Sequence, residues 1–342
     1  MKETHLKKWH IPFLIILIIG TYFAAKGNKD KTTFQSNTGT VFGTTYHTSY
    51  QYGEDLEEEI LQSLKAVDNS LSMFNENSTV SKINRNESEE TDELFRNVFE
   101  LAQRVSKETD GQFDVTVAPL VNAWGFGFKN DQTPDSAQVD SLLELIGYDK
   151  VTLVDEKLKK KDDRIIMDFS AIAKGFGCDE VARMFREKGI ENFMVEIGGE
   201  VVTGGTNSKG LAWKIGINKP ENDSTLLSND IEKVIQLSNC ALATSGNYRN
   251  FYYKGDKKIA HTINPSTGYP VQQDILSSTV LAPSCAEADA FATSFMVMGR
   301  EKAMQILEKN SQIMAFFIYM DNENDKGYKV WYSPQLEQYL KQ

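Results

Sequence analysis

The chain changes its apolar period partway along, and that ordering constrains its fold more than any other feature. Leu56, Ile60, Leu64, Val67 and Leu71 recur at helical spacing, and so do Leu94, Val98, Ala102 and Val105, with Gly111 as the stop. Val139, Leu142, Leu143 and Ile146 predict a shorter helix that ends at Gly147. Val181, Ala182 and Phe185 face one way on a further helix closed by Gly189. Strands then dominate, at Phe193–Ile197, 213–217, 234–237 and 277–282, with a hairpin over 251–263 turning at Gly255-Asp256. One late helix interrupts them, because Ser284-Cys-Ala-Glu287 spells a capping box. A hairpin over 313–332 follows, and Ser333-Pro334 starts a terminal helix. Helices grouped early and strands later predict an α+β fold with antiparallel or mixed sheets, not a doubly wound parallel sheet.

The N-terminus is a different kind of sequence. Lys2, Lys7 and Lys8 precede an apolar run over 11–25 that is broken only by Pro12, Gly20 and Thr21. A basic region before an apolar one addresses the chain to or through a membrane. No cysteine follows the run and Phe23-Ala24-Ala25 is a poor cleavage site, so 1–25 is expected to be an uncleaved anchor rather than a removed signal. A polar linker over 26–40 then leads to one catalytic unit over 41–342. The net charge of −11 excludes a nucleic-acid binder, since no basic excess exists to displace counterions from phosphates. Cys178, Cys240 and Cys285 are odd in number and lack C-x-x-C spacing, which favours buried thiols over disulfides or structural zinc.

Two segments carry chemistry. Asp168-Phe-Ser-Ala-Ile-Ala-Lys-Gly175 sets a carboxylate and a lysine on a small-residue turn running into a helix. Ala288-Asp-Ala-Phe-Ala-Thr293 sets a carboxylate and a hydroxyl four residues apart, on one helix face. Such groups suit a phosphorylated ligand with a divalent cation. Each also has a plainer explanation: Asp168 and Lys174 as an ion pair, Asp289 and Thr293 as a solvated face or a capping contact. Gly175-Phe-Gly177 is no dinucleotide fingerprint, because Glu180 stands where the third glycine belongs, and no P-loop occurs. Ser245 lacks the G-x-S-x-G elbow of a hydrolase nucleophile. His261 opens a strand that runs into the turn Asn264-Pro-Ser-Thr-Gly268, where a side chain can be held out of the core.

Taken together and in order, these segments resemble the ApbE family of FAD:protein FMN transferases, from about Gly43 to about Gly299. The matching stretches are Phe42-Gly-Thr44, Leu71-Ser-Met-Phe-Asn75, Val80-Ser-Lys-Ile-Asn84, Gly111-Gln-Phe-Asp-Val-Thr-Val-Ala-Pro-Leu120 and Trp124-Gly-Phe-Gly127. They continue through Asp168-Phe-Ser-Ala-Ile-Ala-Lys-Gly-Phe176, Ile197-Gly-Gly199, Ala243-Thr-Ser-Gly246, His261-Thr-Ile-Asn-Pro-Ser-Thr-Gly268 and Ala288-Asp-Ala-Phe-Ala-Thr293. The resemblance implies that FAD is the substrate and Mg²⁺ the cofactor, and that FMN passes through its phosphate to a Ser/Thr hydroxyl of an acceptor flavoprotein, releasing AMP. It implies metal ligation by Asp289, Thr293 and the carbonyl of Ala171. Flavin contacts would come from Phe42, Phe74, Ala123, Trp124, Gly125, Asp168, Lys174 and Ile263, with His261 acting on the acceptor hydroxyl. Phe42 and Phe74 replace an expected methionine and tyrosine but stay apolar. The family's acceptors include subunits of membrane redox complexes, so the implied location is the bacterial inner membrane, with the catalytic domain on the periplasmic side. A FAD pyrophosphatase and a non-enzymatic flavin carrier are the alternatives.

Overall fold

The computed structural model describes Thr21 and residues 33–127, 133–220, 230–247, 251–254, 257–321, 323–324 and 326–340. Except for Thr21, the anchor expected over 1–25 lies outside the described residues, as does the turn at 255–256. Among the described residues no helix is long and apolar enough to cross a membrane.

The linker expected over 26–40 does not reach Thr40. Phe34–Val41 is a strand, β1, paired antiparallel with β2, Thr44–Gln51, from Phe34 opposite Gln51 to Val41 opposite Thr44. A polar segment rich in β-branched residues is stable as an edge strand, where part of it meets water. Phe42 and Gly43 join the two strands with φ of 51° and 73°, and positive φ at both central residues is what a type I′ hairpin turn demands.

Six further strands complete one sheet: β3 (Phe193–Ile197), β4 (Glu200–Gly204), β5 (Ala241–Gly246), β6 (Ile275–Ala282), β7 (Met314–Met320) and β8 (Tyr328–Tyr332). These eight strands lie side by side in chain order and every pairing is antiparallel. The α+β expectation thus resolves into an antiparallel meander with long excursions. The longest, between β2 and β3, carries α1 (Glu57–Leu71), α2 (Glu93–Glu108) and α3 (Ala173–Glu187). After β6 come α4 (Cys285–Met298) and α5 (Arg300–Lys309).

Helix α4 is the centre of the molecule. Every residue in it except Thr293 is buried, because it packs on β5 and β6 and is covered by α2 and α3. Ser284 accepts the Glu287 N–H, but the Glu287 carboxylate turns to Arg104 of α2 at 2.8 Å, so only half of the expected capping box forms. Alternate residues of β7 serve opposite layers: Ala315 and Phe317 face the helices, whereas Phe316 and Ile318 pack with Ile217, Ile235, Leu237 and Leu336 on the other side. A separate cluster of Leu120, Trp124, Val139, Ile146, Ile259 and Ile263 ties the remaining loops together and forms one wall of the site.

Candidate active site

Loops from the excursions converge with one face of α4 on a cavity of about 930 Å³. That is near the upper end of the roughly 300–1,000 Å³ usual for ligand pockets. Gly175 explains how α4 comes so close. A Cβ there would lie 2.3 Å from the Cys285 carbonyl oxygen, so only glycine lets α3 cross the start of α4 at this distance. The same approach lets the Gly175 N–H donate to Asp289 Oδ2 at 3.2 Å.

Asp289 and Thr293 both face the cavity from α4, and Ala171 faces it from the turn before α3. That turn is shaped by Asp168, whose Oδ1 accepts from the Ser170 N–H at 2.8 Å and from its hydroxyl at 2.5 Å. Burial pushes the Asp168 carboxyl above the ordinary carboxylate range, and its bonds to Ser170 only partly offset this. Thr293 Oγ1 lies 3.0 Å from Ser245 Oγ on β5. These groups are hard oxygen donors of the kind magnesium takes. Among the described residues no three His, Cys, Asp or Glu side chains are grouped to hold a metal. A cation held by Asp289 would be joined there by the neutral oxygens of Thr293 and Ala171.

Lys174 stands between two carboxylates, 2.7 Å from Glu200 Oε1 and 3.7 Å from Asp289 Oδ2. Burial works against its ammonium, but Asp289 and Glu200 outweigh it and raise its pKa well above the ordinary value. Burial also pushes the Glu200 carboxyl upward, with Lys174 pulling the other way. Glu200 Oε2 is buried and has no hydrogen-bond partner among the described residues.

His261 also faces the cavity, its ring edge-on to Phe126 at 6.3 Å. The turn after it is held by Asn264, whose Oδ1 accepts from the N–H groups of Ser266 and Thr267 at 2.8 and 3.1 Å. Trp124 braces the same turn by donating its indole N–H to the Gly268 carbonyl at 2.8 Å.

Of the residues expected at the site, Phe74, Gly125, Asp168, Ala171, Lys174, His261, Ile263, Asp289 and Thr293 line one cavity. Phe42, Ala123 and Trp124 do not. Trp124 is buried in the loop cluster and offers its neighbour Phe126 to the cavity in its place. Phe42 packs behind the site, so close to α3 that a Cβ on Gly177 would lie 2.7 Å from its ring. Phe74, at 66% exposure, supplies apolar surface at the mouth. Glu200 and Ser245 were not singled out from the sequence as site residues. The available signal for Glu200 was a carboxylate placed directly after the double glycine Gly198-Gly199, both of positive φ.

A family model described as the ApbE family matches residues 42–317. The FAD:protein FMN transferase of Haemophilus influenzae is 38% identical over 304 residues, covering 84% of this chain and 87% of that protein. That of Vibrio cholerae is 36% identical over 313 residues, covering 88% and 91%. Among solved structures, the flavin transferase ApbE from Vibrio cholerae matches with a TM-score of 0.80 at 34% identity, over 90% of this chain and 99% of that one. The apo form of the flavinyl transferase ApbE from Pseudomonas stutzeri matches with a TM-score of 0.80 at 26% identity, over 90% and 97%.

Proposed function

This chain belongs to the ApbE family, and from that premise we propose that it is a FAD:protein FMN transferase that moves FMN from FAD to a Ser/Thr hydroxyl of an acceptor flavoprotein. The observation that carries this proposal is the presence of Asp289, Thr293 and Ala171 with Lys174 and His261 around a single cavity. The acceptor hydroxyl attacks the FMN phosphorus, its proton passes to the His261 imidazole, and the pyrophosphate bond breaks to release AMP. Little covalent work falls to the protein, so positioning and charge neutralisation supply most of the rate. Lys174 brings a fixed positive charge to the pyrophosphate. A magnesium ion on Asp289, Thr293 and the Ala171 carbonyl would stabilise the charge that develops on the same group. Phe74 and Phe126 offer apolar faces against which the ring systems of FAD can pack.

The acceptors in this proposal are flavoprotein subunits of membrane redox complexes, with the catalytic domain tethered by residues 1–25 at the periplasmic face of the inner membrane. Tethering raises the effective concentration of enzyme around membrane-bound acceptors. The test is to incubate the purified chain with FAD, MgCl₂ and a candidate acceptor carrying an exposed Ser/Thr site. A fluorescent flavin that survives denaturing electrophoresis, with AMP in equal amount, is the expected outcome. Free FMN and AMP without labelled protein identify a pyrophosphatase. Tight FAD binding with neither product identifies a carrier.

A further inference from the structure

The Lys174 ammonium has two carboxylates within reach and is hydrogen-bonded to only one of them. It donates to Glu200 Oε1 at 2.7 Å, whereas Asp289 Oδ2 at 3.7 Å is beyond hydrogen-bond distance. Asp289 Oδ2 takes the Gly175 N–H instead. The two carboxylates differ in how they are held. Glu200 is 2% exposed on β4, and the strand is locked on both sides, with Ile197 opposite Glu200 and Leu242 opposite Val201. Lys174 has a longer and more exposed side chain, 30% exposed, so it is the partner free to move.

A buried ion pair is weak evidence of stabilisation, because desolvating both charges costs about what their attraction returns. This one is incomplete besides, since Glu200 Oε2 is buried in a wall of the cavity without a hydrogen-bond partner among the described residues. Its consequence lies in the site. If Glu200 lost its charge, the Lys174 ammonium would need to move only about 1 Å to reach a charge-assisted hydrogen bond with Asp289. That bond would engage the carboxylate put forward above as the cation ligand.

We propose that Glu200 is a positioning residue that holds the Lys174 ammonium off Asp289 and so keeps the Asp289 carboxylate available to a divalent cation. The proposal rests on Asp289 being a cation ligand, as put forward above.

The test is calorimetric titration of MgCl₂ into the purified full chain, with and without saturating FAD, for the wild type and two variants. Glu200→Gln preserves shape and removes the charge, and it is expected to weaken Mg²⁺ binding at least about tenfold, the worth of a charge-assisted hydrogen bond. Glu200→Gln combined with Lys174→Met removes the competing ammonium as well, and in the titration without FAD, where Lys174 has no ligand to hold, it is expected to bind Mg²⁺ at least as tightly as the wild type. A purely structural role for Glu200 would not predict that rescue. Wild-type affinity in Glu200→Gln overturns the proposal, and so does a double variant that, without FAD, binds more weakly than the wild type. If Glu200→Gln alone folds poorly, the double variant decides, because it leaves no unpaired charge from this pair. A wild-type chain that binds no Mg²⁺ in either state removes the cation assignment itself, an outcome distinct from loss of the Glu200 effect.

Discussion

Thr293 is the one residue of α4 that is not buried, and Asp289 precedes it by one turn on the cavity face. Asp289→Ala is expected to lower magnesium-dependent turnover by roughly 10²-fold or more, as when a group that stabilises developing charge is removed. The chain should stay folded, because Lys174 keeps Glu200 as its partner at 2.7 Å. Thr293→Ala should be milder, since water can replace a neutral ligand on magnesium. Initial rates across a magnesium titration measure both, and near-normal turnover of Asp289→Ala at limiting magnesium would remove the metal assignment. His261 faces the cavity beside Phe126, where it is placed to take the proton of the acceptor hydroxyl. His261→Asn is accordingly expected to keep FAD affinity while slowing transfer by roughly 10²- to 10⁴-fold, the usual loss for a general base. Equilibrium FAD binding set beside single-turnover transfer separates these effects; weakened binding with unchanged transfer at saturation would make His261 a ligand contact instead.

At the scale of elements, the site depends on how α3 grips the start of α4. Asp179 of α3 accepts the N–H groups of Cys285 and Ala286 at 2.9 and 2.8 Å, so it caps a neighbouring helix rather than its own. Burial nevertheless pushes its carboxyl from the ordinary value of 3.8 up to about 7. Between these two values the folded state holds a proton that the unfolded state has released. The associated stability is complete below about pH 3.8 and is lost as pH rises through about 7. Denaturant midpoints across this window should fall more steeply for the wild type than for Asp179→Asn. Parallel pH profiles for the two proteins would show that Asp179 does not titrate in this range.

At the scale of the molecule, both faces of the sheet need cover. On the face away from α4, Leu336 and Leu340 of the C-terminal segment pack with Leu242, Leu281, Phe316 and Ile318. Ending the chain at Ser333 would bare that patch, and the loss of the two leucines is expected to cost roughly 3 kcal/mol or more at 1.5–3 kcal/mol for each buried side chain. Thermal unfolding of the shortened chain checks this, and an unchanged midpoint would mean that the segment only lies against the sheet. Because these side chains stack on the alternate faces of β5, β6 and β7, the strands that serve the catalytic wall from one side depend on this cover from the other.

Local chemistry by itself determined the α+β class and most helices and late strands, because periodicity is written in neighbouring residues, whereas most of the candidate site residues were implied by the resemblance to the ApbE family. Asp289 and Thr293 were legible as one helix face, and Asp168 and Lys174 as one turn, while Ala171 came only from the resemblance. What tertiary structure alone decided was set by partners far away in the chain. The segment Phe34–Val41 became a strand because Thr44–Gln51 lies beside it, although its composition is that of a polar linker. Trp124 went into the core because the Gly268 carbonyl, 144 residues away, accepts its indole N–H. Gly175 needed to be glycine only because the Cys285 carbonyl passes there. Glu200 became part of the site because β4 delivers it to Lys174, 26 positions earlier. Sequence shows which groups are present and which are neighbours in the chain. Which of them share a cavity depends on packing between distant segments, and no local pattern records that.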